Sequence, residues 1–242
     1  MIPLARATSL VGIAQAAAAT RDAIDVVLGQ RAVQTGAEAL AAQSVGRGAF
    51  ASARLQGAEV DQDATASDDG GDPIAKGALR VTQEAAGLVA LWRRAPLQVL
   101  ARLHLLAAAD LADADTLGRP TSSTAARRLT AMMAEIGRSS GPGSTVPALV
   151  VASVVHAEAA EAFAPAGGLV GRAAERVVLI SSGVDRTAVL VPEEGHLAEV
   201  DGYLADRKRL LTGTDVAVAT WIERCCRAYT ASAEVTAAML AR

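Results

Sequence analysis

The stretch PALVVASVVHAEAAEAFAPAGGLVGRAAER, residues 147–176, decides how this chain folds. The segment 147–163 predicts a helix that is apolar nearly all round in its first half. A helix of that kind sits at the centre of a bundle rather than on its surface. Residues 164–168 carry Pro165 and the pair Gly167-Gly168, which predicts a tight loop. A second helix is predicted over 169–182, with Arg172 and Arg176 on it. Glycines at a helix start leave backbone N–H groups free to hold an anion. Arginines one or two turns further in add charge-assisted bonds to phosphate. Taken alone, two glycines before an arginine-bearing helix are more often a plain turn.

Helical signals continue outward on both sides. Residues 8–56 predict two or three helices, broken near Gly29 and at Gly46-Arg47-Gly48. Residues 58–77 read as an acidic, solvated loop with Asp61, Asp63, Asp68, Asp69 and Asp72 beside Gly70, Gly71 and Pro73. Its spacing is not that of a calcium loop, and the closing Glu is absent. A long helical region follows over 78–109, broken at Pro96 because proline cannot continue the hydrogen-bond ladder. A polar connection spans 110–123. A short helix spans 125–137, with Ser122 or Ser123 as its cap. Pro192 marks the start of a helix reaching about residue 211. A last helix spans 215–239, with Val218, Trp221, Ile222 and Cys225 on one side.

Composition agrees with an all-α chain. Of the 242 residues, 51% are apolar, but aromatics make up only 2%. Ala, Leu and Val carry the apolar share, and Ala and Leu are the strongest helix formers. Arg far outnumbers Lys, with Lys76 and Lys208 the only lysines, which fits the coding bias of a GC-rich genome. Net charge is −3, and no basic stretch supplies the footprint that nucleic acid requires. No apolar run reaches the roughly 18 residues of a membrane span. The N-terminal apolar patch is interrupted by Thr8, Ser9 and Gln15, so it reads as helix rather than as a signal peptide. The only cysteines, Cys225 and Cys226, are adjacent and point in different directions on a helix. They read as buried thiols, and a reducing cytoplasm is the expected location.

The order of these elements resembles the Fic (Fido) family, whose active loop reads HPFx[DE]GNGRxxR and joins two helices of an all-α fold. The matching segment is Glu161-Ala-Phe-Ala-Pro-Ala-Gly-Gly-Leu-Val-Gly-Arg172, and His156 lies where members often have a histidine. Upstream, Leu100-Ala-Arg-Leu-His104-Leu-Leu is similar to the family's LxxLHxxL helix, with Gly118-Arg119 following. Ala51-Ser52-Ala53-Arg54-Leu55-Gln56-Gly57 is similar to the inhibitory motif [ST]xxxE[GN]. The resemblance implies a single Fic-like bundle of about eight helices. It divides the chain into an N-terminal helical extension, 1–50, and a Fic-like domain, 51–242, that includes the acidic loop.

In Fic enzymes the motif histidine is the general base and the acidic residue binds magnesium. The glycines and asparagine form an anion hole, and the arginines hold the phosphates of ATP while AMP passes to a protein hydroxyl. Carried over, the base position falls on Glu161, or on Phe163 in the other register. Phenylalanine takes no proton, and a carboxylate of ordinary pKa is a poor base near neutral pH. The acidic position falls on Gly167 or Ala166, and the asparagine position near Leu169. Gly168, with Gly167 beside it, and one of Arg172 or Arg176 are what remains of the phosphate cradle. The inhibitory glutamate is replaced by Gln56, between Ser52 and Gly57, and Gln56 cannot form the family's ion pair.

A base and its inhibitor lost together are what a pseudoenzyme should show. The expectation is a catalytically degenerate module that engages a protein partner, or a second copy of the chain as a homodimer, or weakly binds a nucleotide or other anion. The alternative is a nucleotidyltransferase with a rebuilt site, using Glu161 as base and ATP with magnesium. The histidines His104, His156 and His196 lie far apart in the chain and show no HxxxH spacing, so no metal site is expected. His104 and His156 are expected as hydrogen-bonded core residues. Trp92 and Trp221 are expected as core anchors, and Arg93-Arg94 and Arg207-Lys208-Arg209 as solvated helix faces.

Overall fold

The structure, a computed structural model, describes residues 2–61, 71–139 and 145–240. Among the described residues there are helices and no strand. In order they are α1 (Leu4–Ser9), α2 (Ile13–Leu28), α3 (Arg31–Thr35), α4 (Ala37–Leu55), α5 (Pro73–Glu84), α6 (Val89–Trp92), α7 (Pro96–Ala108), α8 (Ser123–Ser139), α9 (Ala148–Ala162), α10 (Gly167–Ser181), α11 (Pro192–Ala198), α12 (Val200–Leu210) and α13 (Asp215–Met239).

The all-α expectation therefore holds, with 13 helices among the described residues rather than about eight, 10 of them of seven or more residues. The surplus comes from short pieces that no sequence period announces, such as α3 and α6, and from a break at Glu199. Its φ of −121° and ψ of 43° divide the expected 192–211 helix into α11 and α12. No helix among the described residues is long and apolar enough to cross a membrane.

Local chemistry explains most boundaries. Asp72 accepts from the N–H groups of Ile74 (2.7 Å) and Ala75 (3.3 Å), and Pro73 occupies the first turn. That cap starts α5 earlier than the expected acidic loop allowed. Asp63, Asp68 and Asp69 of that loop lie outside the described residues. Ser122 caps α8 through the N–H of Ala125 at 3.1 Å. The side chain of Thr214 accepts from Ala217 N–H and starts α13. The expected break at Gly46–Gly48 does not occur: α4 runs through it, and across residue 50.

The centre of the bundle is α9 packed against α10, and both are buried along nearly their whole length. Two glycines permit the approach. A Cβ on Gly167 would lie 2.2 Å from the Ala160 carbonyl oxygen, and one on Gly171 would lie 2.6 Å from that of His156. Gly167 is thus held by helix packing, whatever else it does. Around this pair, α13 runs against α2, α11 and α12, and α4 and α5 close the other side with α7. Trp92 and Trp221 are core anchors, as expected, and Cys225 and Cys226 are buried free thiols.

Gly77 repeats the packing logic on α5, where an added Cβ would lie 2.2 Å from the Ala107 carbonyl oxygen of α7. Helix propensity alone would favour Gly77→Ala by about 1 kcal/mol. The clash with backbone is expected to reverse that sign and cost about 1–3 kcal/mol. Urea unfolding checks this. A stabilised Gly77→Ala would show that α5 and α7 sit further apart.

Candidate functional site

The α9–α10 turn brings the expected site residues to one end of the bundle. Phe163 ends α9 buried, with its ring centroid 5.0 Å from that of His104. His104 is tied on both sides. The N–H of Gly118 donates to its Nδ1 at 3.0 Å, so Nε2 carries the proton and donates to the Pro165 carbonyl at 3.1 Å. This histidine therefore fastens α7, the Gly118 turn and the 164–166 loop together, as a hydrogen-bonded core residue. Burial lowers its pKa, against the raising effect of its backbone bonds. Glu161, one turn before the loop, is exposed, and its carboxylate is 3.9 Å from Arg207. The cavity beside it holds only about 20 Å³.

The α10 N-terminus is occupied by the protein's own side chains. A Cβ at Gly168 would lie 2.4 Å from Gln56 Oε1 and 3.2 Å from both Arg172 Nη1 and Arg207 Nη1. Arg207 was expected on a solvated face and is instead half-buried, turned toward Gly168 and Glu161. Gly57, at φ 95°, turns the chain away immediately after Gln56.

Arg172 is buried and its donors go inward. Nε donates to Ser52 Oγ (2.8 Å), Nη2 to the Ser52 carbonyl (2.9 Å) and Nη1 to the Tyr203 hydroxyl (3.0 Å). Arg176, one turn on, forms a two-pronged pair with Glu193 at 3.1 and 2.8 Å and reaches Ser44 Oγ at 3.3 Å. The glycine within α4 makes room for that pair, since a Cβ on Gly48 would meet Arg176 Nη2 at 2.6 Å. The structure thus gathers Ser52, Gln56, Gly167, Gly168 and Arg172 at one place. Arg176 belongs to a separate buried pair.

A second polar group lies deeper, and sequence spacing gave no hint of it. His156 (α9), Glu175 (α10), His196 (α11) and Cys225 (α13) are all buried, with donor atoms within 4.8 Å of one another. Glu175 Oε1 is 3.1 Å from His156 Nδ1, and Oε2 is 3.1 Å from His196 Nε2. The Tyr229 hydroxyl donates to Glu175 Oε1 at 2.6 Å, and the Tyr203 hydroxyl is 3.0 Å from His156 Nε2. The Trp221 indole packs edge-on to His156 at 5.1 Å and donates to the Ser153 carbonyl at 2.9 Å.

Burial lowers the His156 pKa to about 4, against the raising pull of Glu175. Burial pushes the Glu175 carboxyl up, but His156 and His196 outweigh it and hold the group well below the usual carboxylate range. Burial and the Glu175 charge push the Cys225 thiol well up. The available signal was the hairpin: residues 156 and 175 are nearly equidistant from its turn, so antiparallel packing sets them side by side.

A crystal structure of a Fic family protein from Desulfovibrio desulfuricans G20 is similar to this chain with a TM-score of 0.77. The likeness covers 96% of this chain and 76% of that one, at 14% sequence identity. No protein-family model matches the chain, and no curated protein does. A shared backbone over nearly the whole chain at such low identity carries the fold and leaves the chemistry to the site: the chain has a divergent Fic-like fold.

Proposed function

We propose that this chain is a catalytically degenerate Fic-like module that works through contact with a protein partner rather than by transferring a nucleotide. The observation carrying the reading is the filled α10 N-terminus. Gln56 Oε1 lies against Gly168, where a phosphate oxygen would have to sit, and the Arg172 donors bond to Ser52 and Tyr203. An anion at that position would have to displace the Gln56 side chain and draw Arg172 away from Ser52 and Tyr203. Glu161 supports the same reading. A base must reach the proton it removes, and an exposed carboxylate next to a water-sized space has no enclosed substrate position to work on.

Calorimetric titration with ATP and ADP, with and without magnesium, tests this. The expected result is no heat up to millimolar nucleotide and no label transferred from ATP to any protein. Glu161→Ala, a change at the surface, should leave both results as they are. Micromolar binding together with label transfer that Glu161→Ala abolishes would overturn the proposal in favour of a rebuilt nucleotidyltransferase.

A further inference from the structure

We propose that His156, Glu175, His196 and Cys225 form a structural zinc site that ties α9, α10, α11 and α13 together at the centre of the bundle. The donor types are those zinc takes: two imidazole nitrogens, one carboxylate and one thiolate. Bonds of about 2.0–2.3 Å in a tetrahedron imply edges of roughly 3.3–3.7 Å between donors. The two contacts of Glu175 with the imidazoles, both 3.1 Å, are already near such edges, and no donor pair exceeds 4.8 Å. The tetrahedron requires the widest donor pair to close by no more than about 1 Å.

An independent observation points to a missing partner. His156 Nδ1 faces Glu175 at 3.1 Å yet makes no aligned hydrogen bond, and His196 Nδ1 also lacks one. Buried ring nitrogens without an aligned hydrogen-bond partner are costly. A metal ion takes up the first of them directly. The surroundings are those of a metal centre as well. Tyr203 sits at the outer nitrogen of His156, Nε2, where it can accept the N–H once Nδ1 is a ligand. Tyr229 holds Oε1 of Glu175, which leaves Oε2 for the ion.

Charge and protons balance. On binding, the Cys225 S–H bond breaks and an S–Zn bond forms, with the proton leaving to solvent. The His156 proton resides on Nε2. Zinc with one carboxylate and one thiolate is then neutral within the core. All four positions are taken by protein and the cluster is closed to water, so the ion has no open position for a substrate. It ties together four helices that already meet through packing and through hydrogen bonds such as Tyr229 to Glu175 and Trp221 to the Ser153 carbonyl. Because the site is enclosed, zinc enters as the bundle closes, during folding.

The test is the metal content of the full chain, purified from cells grown with added zinc. About one zinc per chain is expected, falling to near none in His196→Gln. The chain unfolded with chelator and refolded with cobalt is expected to show a thiolate-to-cobalt charge-transfer band. Cys225→Ser, nearly the same size, should lose that band, and Cys226→Ser should keep it. Zinc-free folded protein from zinc-supplied cells would overturn the proposal. So would metal uptake that His196→Gln and Cys225→Ser leave unchanged, which would put the ion elsewhere on the chain.

Discussion

Arg176→Ala is expected to lower the unfolding free energy by about 3–5 kcal/mol, the usual cost of removing one partner from a buried ion pair. Arg176 and Glu193 are 3% and 2% exposed, and they are joined by two hydrogen bonds. With the guanidinium gone, the Glu193 carboxylate stays in the core with no counter-charge. Ser44 also loses its contact, so α4, α10 and α11 loosen together. Joint replacement by Arg176→Met and Glu193→Leu removes both charges and keeps the volume, and most of the loss should return.

Midpoints of urea unfolding at constant slope give the answer. A cost below about 1 kcal/mol, the range of exposed pairs, would mean that the pair is hydrated. The same variant separates two roles for this arginine. A phosphate-holding residue would lose ligand and keep stability. The geometry expects the reverse.

The second large effect is in pH. Refolded without metal, the protein is expected to lose about 3 kcal/mol of stability as pH falls from 6.5 to about 4. The unfolded chain binds the His156 proton near 6.5, whereas the folded chain accepts it only near 4. Between those values the unfolded state holds more protons, so acid pulls the equilibrium toward it. The contribution is complete above 6.5 and is lost on the way down.

The groups facing His156 are Glu175 and Arg172 from α10, His196 from α11, Tyr203 from α12 and Cys225 from α13. Glu175 stays ionised through this window because the histidines hold its carboxyl low, so its own loss comes at still lower pH. Unfolding midpoints at a series of pH values should slope across the window in the wild type and flatten in His156→Gln. An equal slope in both proteins would place the titration on another residue.

Much of the fold was legible because it is local. Helix formers, caps and apolar period lie within a few residues of one another, so the range 215–239 and the buried character of α9 follow from the string itself. The roles of His104 as a bonded core residue and of Trp92 and Trp221 as anchors were also readable from type and context. The order of motif fragments pointed to the Fic-like backbone that the structural likeness bears out.

Partnership was not legible, because it depends on which faces meet. Gly46 and Gly48 look like a break in the string. In the fold α4 continues through them, and the bare Gly48 position admits the Arg176–Glu193 pair. Gly167 looks like part of an anion cradle, yet its missing side chain also lets α10 rest on the Ala160 carbonyl. Arg172 looks like a phosphate ligand, and its donors turn to Ser52 and Tyr203. His156, Glu175, His196 and Cys225 are scattered along the chain, and only the packing of four helices makes them neighbours. Residue type and apolar period along the chain set the all-α class and the buried centre. The tertiary structure decided what each charged or polar side chain faces, because charge satisfaction in a core is settled between helices and not along one.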